Sequence, residues 1–142
     1  MAGVVLVDSN ILLDILEEDQ SWYGWSSEQL AICAESSSLA INPIIYAEVS
    51  IGFNRVEELE EALPSDIFER RPLPWEAAFL AGKSFLSYRR AGGNRRSPLP
   101  DFFIGAHAAV SGYSLMSRDK GRFSTYFPSV ELIIPKSTSG FN

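Results

Sequence analysis

Five short segments that read as strands alternate with stretches of helical periodicity, and that alternation restricts the fold more than any other feature of the chain. Val4–Val7 is a continuous aliphatic run of the kind that is covered on both faces in a parallel sheet. Leu39–Ile41, Phe68–Leu73, Ser114–Ser117 and Val130–Ile134 read as the other strands. Between the first two, Ile11, Leu12, Ile15 and Leu16 mark a helix that Ser9 or Asn10 can cap, and a second helix spans Trp22 to Glu35. Asn42-Pro43 is a cap followed by proline at the first helical position, opening a helix that runs to about Phe53. Val56–Leu63 and Trp75–Arg90 carry amphipathic stripes, Arg89–Pro100 is a loop rich in Gly, Pro and Arg, and Asp101–Ser111 and Asp119–Tyr126 are helical. Such a pattern predicts an α/β fold, a mostly parallel sheet with helices on both faces. Residues 1–135 form the domain, and 136–142 a polar tail.

Composition narrows the classes. No window approaches the ~20 apolar residues of a membrane span, and the first residues lack the basic segment of a secretory signal. Cys33 is the single cysteine, so neither a disulfide framework nor a thiolate zinc cluster is available. These features predict a soluble, cytoplasmic protein. The net charge of −6 is unevenly spread. No Lys or Arg precedes Arg55, so residues 1–54 carry eight acidic side chains and −8, while the remainder is +2. The two parts must play different electrostatic roles.

Four carboxylates stand at the end of an apolar segment or inside one. Asp8 closes Val4–Val7, Glu48 lies in Asn42-Pro43-Ile44-Ile45-Tyr46-Ala47-Glu48-Val49, Asp101 opens an apolar helix, and Asp119 follows the strand at Ser114. Each has an ordinary structural alternative. Asp8, Asp101 and Asp119 can cap helices, and Glu48 can snorkel from its stripe of Ile44, Ala47 and Ile51 or pair with an arginine. Taken together they mean more. Asp8 and Asp119 belong on the carboxyl edge of a parallel sheet, where sites form, and four acids converging there require a cation to offset their repulsion. Oxygen donors without clustered His or Cys favour Mg²⁺ or Mn²⁺ over zinc.

Other motifs carry less. His107, the lone histidine, reads as structural or exposed, and Trp22, Trp25 and Trp75 as core or partner surface. The small residues Gly105, Ala106, Ala108 and Ala109 let their helix approach the sheet closely. No Ser–His–Asp set, phosphate-binding loop or dinucleotide glycine motif is present. Arg89, Arg90, Arg95 and Arg96 precede Asp101, and Arg118, Lys120 and Arg122 flank Asp119. These basic groups are either an ordinary solvated surface or a rim that grips phosphates beside the acids.

Val7-Asp8-Ser9-Asn10, the block from Asn42 to Val49, Pro100-Asp101-Phe102-Phe103-Ile104-Gly105-Ala106-His107-Ala108, and Ser117-Arg118-Asp119 with Phe123 resemble the four motif blocks of PIN-domain ribonucleases, and among them the VapC-type toxins of bacterial toxin–antitoxin pairs. The resemblance runs from Val4 to Pro135, with all four acidic positions present. It implies a three-layer α/β/α sandwich, Mg²⁺- or Mn²⁺-dependent endonuclease action on RNA, a cognate antitoxin and a homodimer formed through the early helices. Asp8, Glu48, Asp101 and Asp119 would then hold a metal that activates water for in-line attack, with Asn10 and Ser117 in support. The expected products carry a 3′-hydroxyl and a 5′-phosphate.

Three other readings compete. A phosphatase with a phosphoaspartate intermediate usually needs a second Asp two positions after the first, whereas Asn10 stands there. A phospho-accepting receiver domain expects paired acids and a late catalytic lysine that is absent from the strand ends. A non-catalytic module with an acidic groove for a basic peptide is the third.

Overall fold

The computed structural model describes residues 3–93 and 99–136. The strands are β1 (Val4–Val7), β2 (Ser38–Ile41), β3 (Phe68–Arg70), β4 (Ser114–Met116) and β5 (Leu132–Ile133). The helices are α1 (Ser9–Leu16), α2 (Tyr23–Ser36), α3 (Pro43–Ser50), α4 (Val56–Ala62), α5 (Trp75–Arg90), α6 (Leu99–Ser111) and α7 (Gly121–Tyr126). The sheet runs in the order β3-β2-β1-β4-β5, and every adjacent pair is parallel. Helices flank it as a three-layer α/β/α sandwich.

The strand order sets which loops meet at the sheet edge. From β1 the chain winds outward through β2 to β3, then returns to add β4 on the other side of β1. The winding therefore reverses between β1 and β4, and the carboxyl ends at such a reversal are where open parallel sheets form their crevices. Leu6, Val7, Leu115 and Met116 are buried in this central pair, as a strand covered on both faces requires. The Asp8 amide donates to the Met116 carbonyl at 2.9 Å, extending the β1–β4 ladder by one residue to Asp8.

Element ends differ from the sequence expectation where local donors compete. β3 ends at Arg70, although the Arg71 amide still reaches the Ile41 carbonyl at 2.9 Å. β5 is two residues long, matching the short β4 edge that it pairs with. α3 ends at Ser50, whose hydroxyl turns back onto the Ala47 carbonyl at 2.6 Å. α6 begins at Leu99, with Pro100 tolerated where its missing N–H has no intrahelical partner anyway. Asp101 therefore stands inside the first turn and does not cap the helix. α7 begins at Gly121, and ahead of it the Asp119 amide donates to the Ser117 hydroxyl at 3.0 Å.

The small residues of α6 do bring it close to its neighbours. A Cβ placed on buried Gly105 would lie 2.4 Å from ring carbons of Phe127, itself only 2% exposed. Gly105→Ala is expected to lower stability by about 1–3 kcal/mol through overpacking, more than the ~1 kcal/mol that alanine gains as a helix former. A fall in the urea midpoint at unchanged slope checks this; an unchanged midpoint would mean that Phe127 can move aside.

Candidate active site

Asp8 is the buried centre of the crevice. It caps α1, its Oδ1 accepting from the Ser9 amide at 2.7 Å. Its Oδ2 accepts from the Ser117 hydroxyl at 2.7 Å and, more weakly, from Asn10 Nδ2 at 3.4 Å. Asn10 Nδ2 also reaches Ser117 Oγ at 3.3 Å, and Asn10 Oδ1 accepts from the Arg118 amide at 3.3 Å. Asn10 and Ser117 thus tie the loop after β1 to the loop after β4. Both capping and convergence apply to Asp8; they are not alternatives.

Glu48 comes from α3, whose start is fixed by Asn42 accepting from the Ile45 amide at 2.9 Å and by Pro43. Its Oε1 accepts from the Ser9 hydroxyl at 2.8 Å. Ser9, expected only as a cap, therefore links two of the acids. Asp101 and Asp119 share Arg122, whose Nη1 pairs with Asp101 Oδ2 and lies 3.7 Å from Asp119 Oδ2. Nothing in the spacing of the sequence singled out Arg122 from the other basic residues around it.

The acids act on one another. Burial pushes the Asp8 carboxyl up to about 7, against hydrogen bonds from Ser117 and Ser9, and the fields of Asp101 and Glu48 add to the rise. Burial also raises Asp101; Arg122 opposes this, while Glu48 and Asp119 reinforce it. Asp8 thus lies in the fields of Asp101 and Glu48, and Asp101 in those of Glu48 and Asp119; carboxylates supplying only oxygen are a donor set suited to a hard divalent cation. As they stand, no three His, Cys, Asp or Glu side chains among the described residues are gathered in an ion-holding arrangement.

The basic residues divide. Rings of Phe85 and Tyr88 each pack 5.4 Å from Phe102, which brings the last turn of α5 beside the first turn of α6. Exposed Arg89 and Arg90 therefore stand at the same end of the molecule as Asp101. Arg95 and Arg96 lie outside the described residues. Arg118 has a protein partner: its Nε and Nη2 donate to Asp14 at 2.8 and 3.0 Å, and its guanidinium sits 5.0 Å from the Trp22 ring centroid. Asp14 is 3% exposed and also accepts from Ser26 at 2.7 Å, so this pair locks α1, α2 and the loop after β4 together. His107 is buried, its Nδ1 3.0 Å from Asn42 Nδ2, with burial and then Arg71 holding its pKa down. That is a structural contact. Trp75, by contrast, is 89% exposed and no part of the core.

The comparisons agree with this architecture. Solved structures that match include VapBC2 from Rickettsia felis bound to a DNA fragment from its promoter, at 17% identity and TM-score 0.72, covering 94% of this chain and 99% of that one. VapBC-1 from nontypeable Haemophilus influenzae matches at 15% identity and TM-score 0.69, covering 92% and 97%. A toxin–antitoxin complex from Klebsiella pneumoniae matches at 21% identity and TM-score 0.67, covering 93% and 98%. At these identities the likeness is one of fold. No curated protein matches. The family model described as PIN domain matches residues 5–126, which include all four acids, and the chain belongs to the PIN domain family.

Proposed function

We propose that this chain is a divalent-metal-dependent endoribonuclease and the toxin of a VapC-type toxin–antitoxin pair. The observation that carries the reading is geometric: Asp8 and Glu48 are joined through Ser9, and Asp101 and Asp119 through Arg122, with Asp8 and Asp101 in one another's neighbourhood. Asp8, Glu48, Asp101 and Asp119 would hold Mg²⁺ or Mn²⁺. Such an ion supplies an activated water and neutralises charge that develops on a phosphodiester. The chain's own part is to fix the donors. The Ser9 amide and hydroxyl, Asn10 and Ser117 orient Asp8 and Glu48 on rigid element ends, so little reorganisation is needed when substrate arrives. No protein general base is required.

Arg89, Arg90, Arg95 and Arg96 are proposed to grip RNA phosphates along the rim. Arg118 is proposed to act there too, with Asp14 holding part of its guanidinium. Partnership with a cognate antitoxin is supported by the matching toxin–antitoxin complexes. It is also supported by an apolar groove of about 260 Å³ that includes Leu12, Leu16, Leu30 and Leu63. A homodimer working in the cytoplasm completes the reading, with residues 1–135 as the nuclease unit and 136–142 as a tail. Among the described residues no helix is long and apolar enough to cross a membrane.

Purified protein is expected to cleave single-stranded RNA with Mg²⁺ or Mn²⁺, to stop with chelator, and to leave 3′-hydroxyl and 5′-phosphate ends. Cleavage that persists in chelator, or that leaves 2′,3′-cyclic ends, would replace this mechanism with one using the 2′-hydroxyl.

A further inference from the structure

The four acids are not served alike. Asp8 and Glu48 receive neutral donors: the Ser9 amide and hydroxyl, Ser117 and Asn10. Asp101 and Asp119 receive a cation, Arg122. Its guanidinium is held in place from another side as well, 5.6 Å from the Tyr88 ring centroid and 5.8 Å from that of Phe102. Tyr88 and Phe102 belong to the aromatic cluster that joins α5 to α6. Two rings and two carboxylates fix this charge far better than a single surface ion pair would, and the side chain is only 20% exposed. The charge sits against two of the four acids.

We propose that Arg122 is a built-in counter-cation which exchanges with the divalent ion for Asp101 and Asp119. This rests on the metal-dependent reading given above. Without metal, Arg122 draws Asp101 and Asp119 toward the Tyr88–Phe102 side, offsetting their repulsion with Asp8 and Glu48. Loading requires the two carboxylates to turn from the guanidinium toward Asp8. Arg122 is thus a positioning residue that sets how much metal the site needs, because whatever stabilises the metal-free arrangement lowers apparent metal affinity by the same factor. The displaced guanidinium stays tethered at the mouth of the crevice by its rings.

The test is Mn²⁺ binding without RNA, read from the loss of the free-ion electron spin resonance signal. Arg122→Gln removes the competing charge and should bind Mn²⁺ about three- to tenfold more tightly than the parent, whereas Arg122→Lys keeps the charge and should stay near the parent. Asp8→Asn is the control for the underlying reading. If the parent does not bind Mn²⁺, or Asp8→Asn binds as well as the parent, the metal site itself is wrong and the exchange goes with it. If binding depends on Asp8 but Arg122→Gln binds equally or more weakly, the exchange alone is overturned and Arg122 is a packing residue. A second readout needs no variant to fold: in the ¹⁵N spectrum of the parent, the Arg122 Nε–H signal should shift as diamagnetic Mg²⁺ is added. A signal that stays put at saturating Mg²⁺ also overturns the exchange.

Discussion

Asp8→Asn is expected to lower metal-dependent RNA cleavage at least about 100-fold, and Asp101→Asn to do the same. The reason is placement. Asp8 is held by donors at the ends of β1 and β4, so its carboxylate is aimed before any ligand arrives, and asparagine keeps the shape but not the charge. Glu48→Gln and Asp119→Asn should also reduce cleavage, by less, since Glu48 has a single hydroxyl partner and Asp119 is the more exposed of the Arg122 pair. Ser117→Ala should fall between, roughly 10- to 100-fold, because it removes the hydroxyl that orients Asp8 without removing a charge. Cleavage rates at saturating Mn²⁺, with circular dichroism to confirm folding, separate these cases. Near-normal turnover in a clean preparation of Asp101→Asn would remove that residue from the site.

Strand ends were the legible part of this molecule. Val4–Val7 is marked by its aliphatic run and Ser114–Met116 by its Leu-Met pair, and the acid that follows each strand lands on the carboxyl edge. Asn42-Pro43 likewise sets the start of α3 and hence the face on which Glu48 lies. Long side chains were not legible. Arg122 reaches Asp101 across 21 positions, and Arg118 reaches Asp14 across 104, pairings that only tertiary packing creates. Along the sequence Arg118 and Arg122 look equivalent, both basic and both beside Asp119. In the fold one clamps α1 and the other occupies the acidic site. Asp14 is not legible either: an acid in a short amphipathic helix reads as solvated, and its partners Ser26 and Arg118 come together only in the fold. Asp101 was placed correctly in chain order but at the wrong helical position, since Pro100 could start the helix as readily as precede it.

Metal-free protein should lose stability as pH rises from about 4 to beyond 7. Asp8 is 3% exposed, and burial, aided by the fields of Asp101 and Glu48, carries its pKa from the ordinary 3.8 to about 7. Between those values the native carboxyl keeps a proton that the unfolded chain has released. The native state binds more protons, so the slope of unfolding free energy against pH is negative. This contribution is fully present below the unfolded value and is lost as pH passes the folded one. Over roughly three pH units it amounts to at most on the order of 4 kcal/mol. The raised Asp101 carboxyl adds in the same direction. On the metal-dependent reading proposed above, Mn²⁺ would need the Asp8 carboxylate, so binding would expel the Asp8 proton and become stronger above neutrality. At a hundredfold excess over its dissociation constant the ion should return about 2.7 kcal/mol. Urea melts from pH 5 to 8, with chelator and with Mn²⁺, read both effects. Asp8→Asn should flatten the chelator series even though asparagine cannot reproduce every hydrogen bond to Ser117 and Asn10, because a lost bond shifts stability equally at each pH. If parent and Asp8→Asn share the same slope, another group carries the proton. If Mn²⁺ also stabilises both alike, Asp8 is a helix cap alone and the acidic crevice has some other purpose.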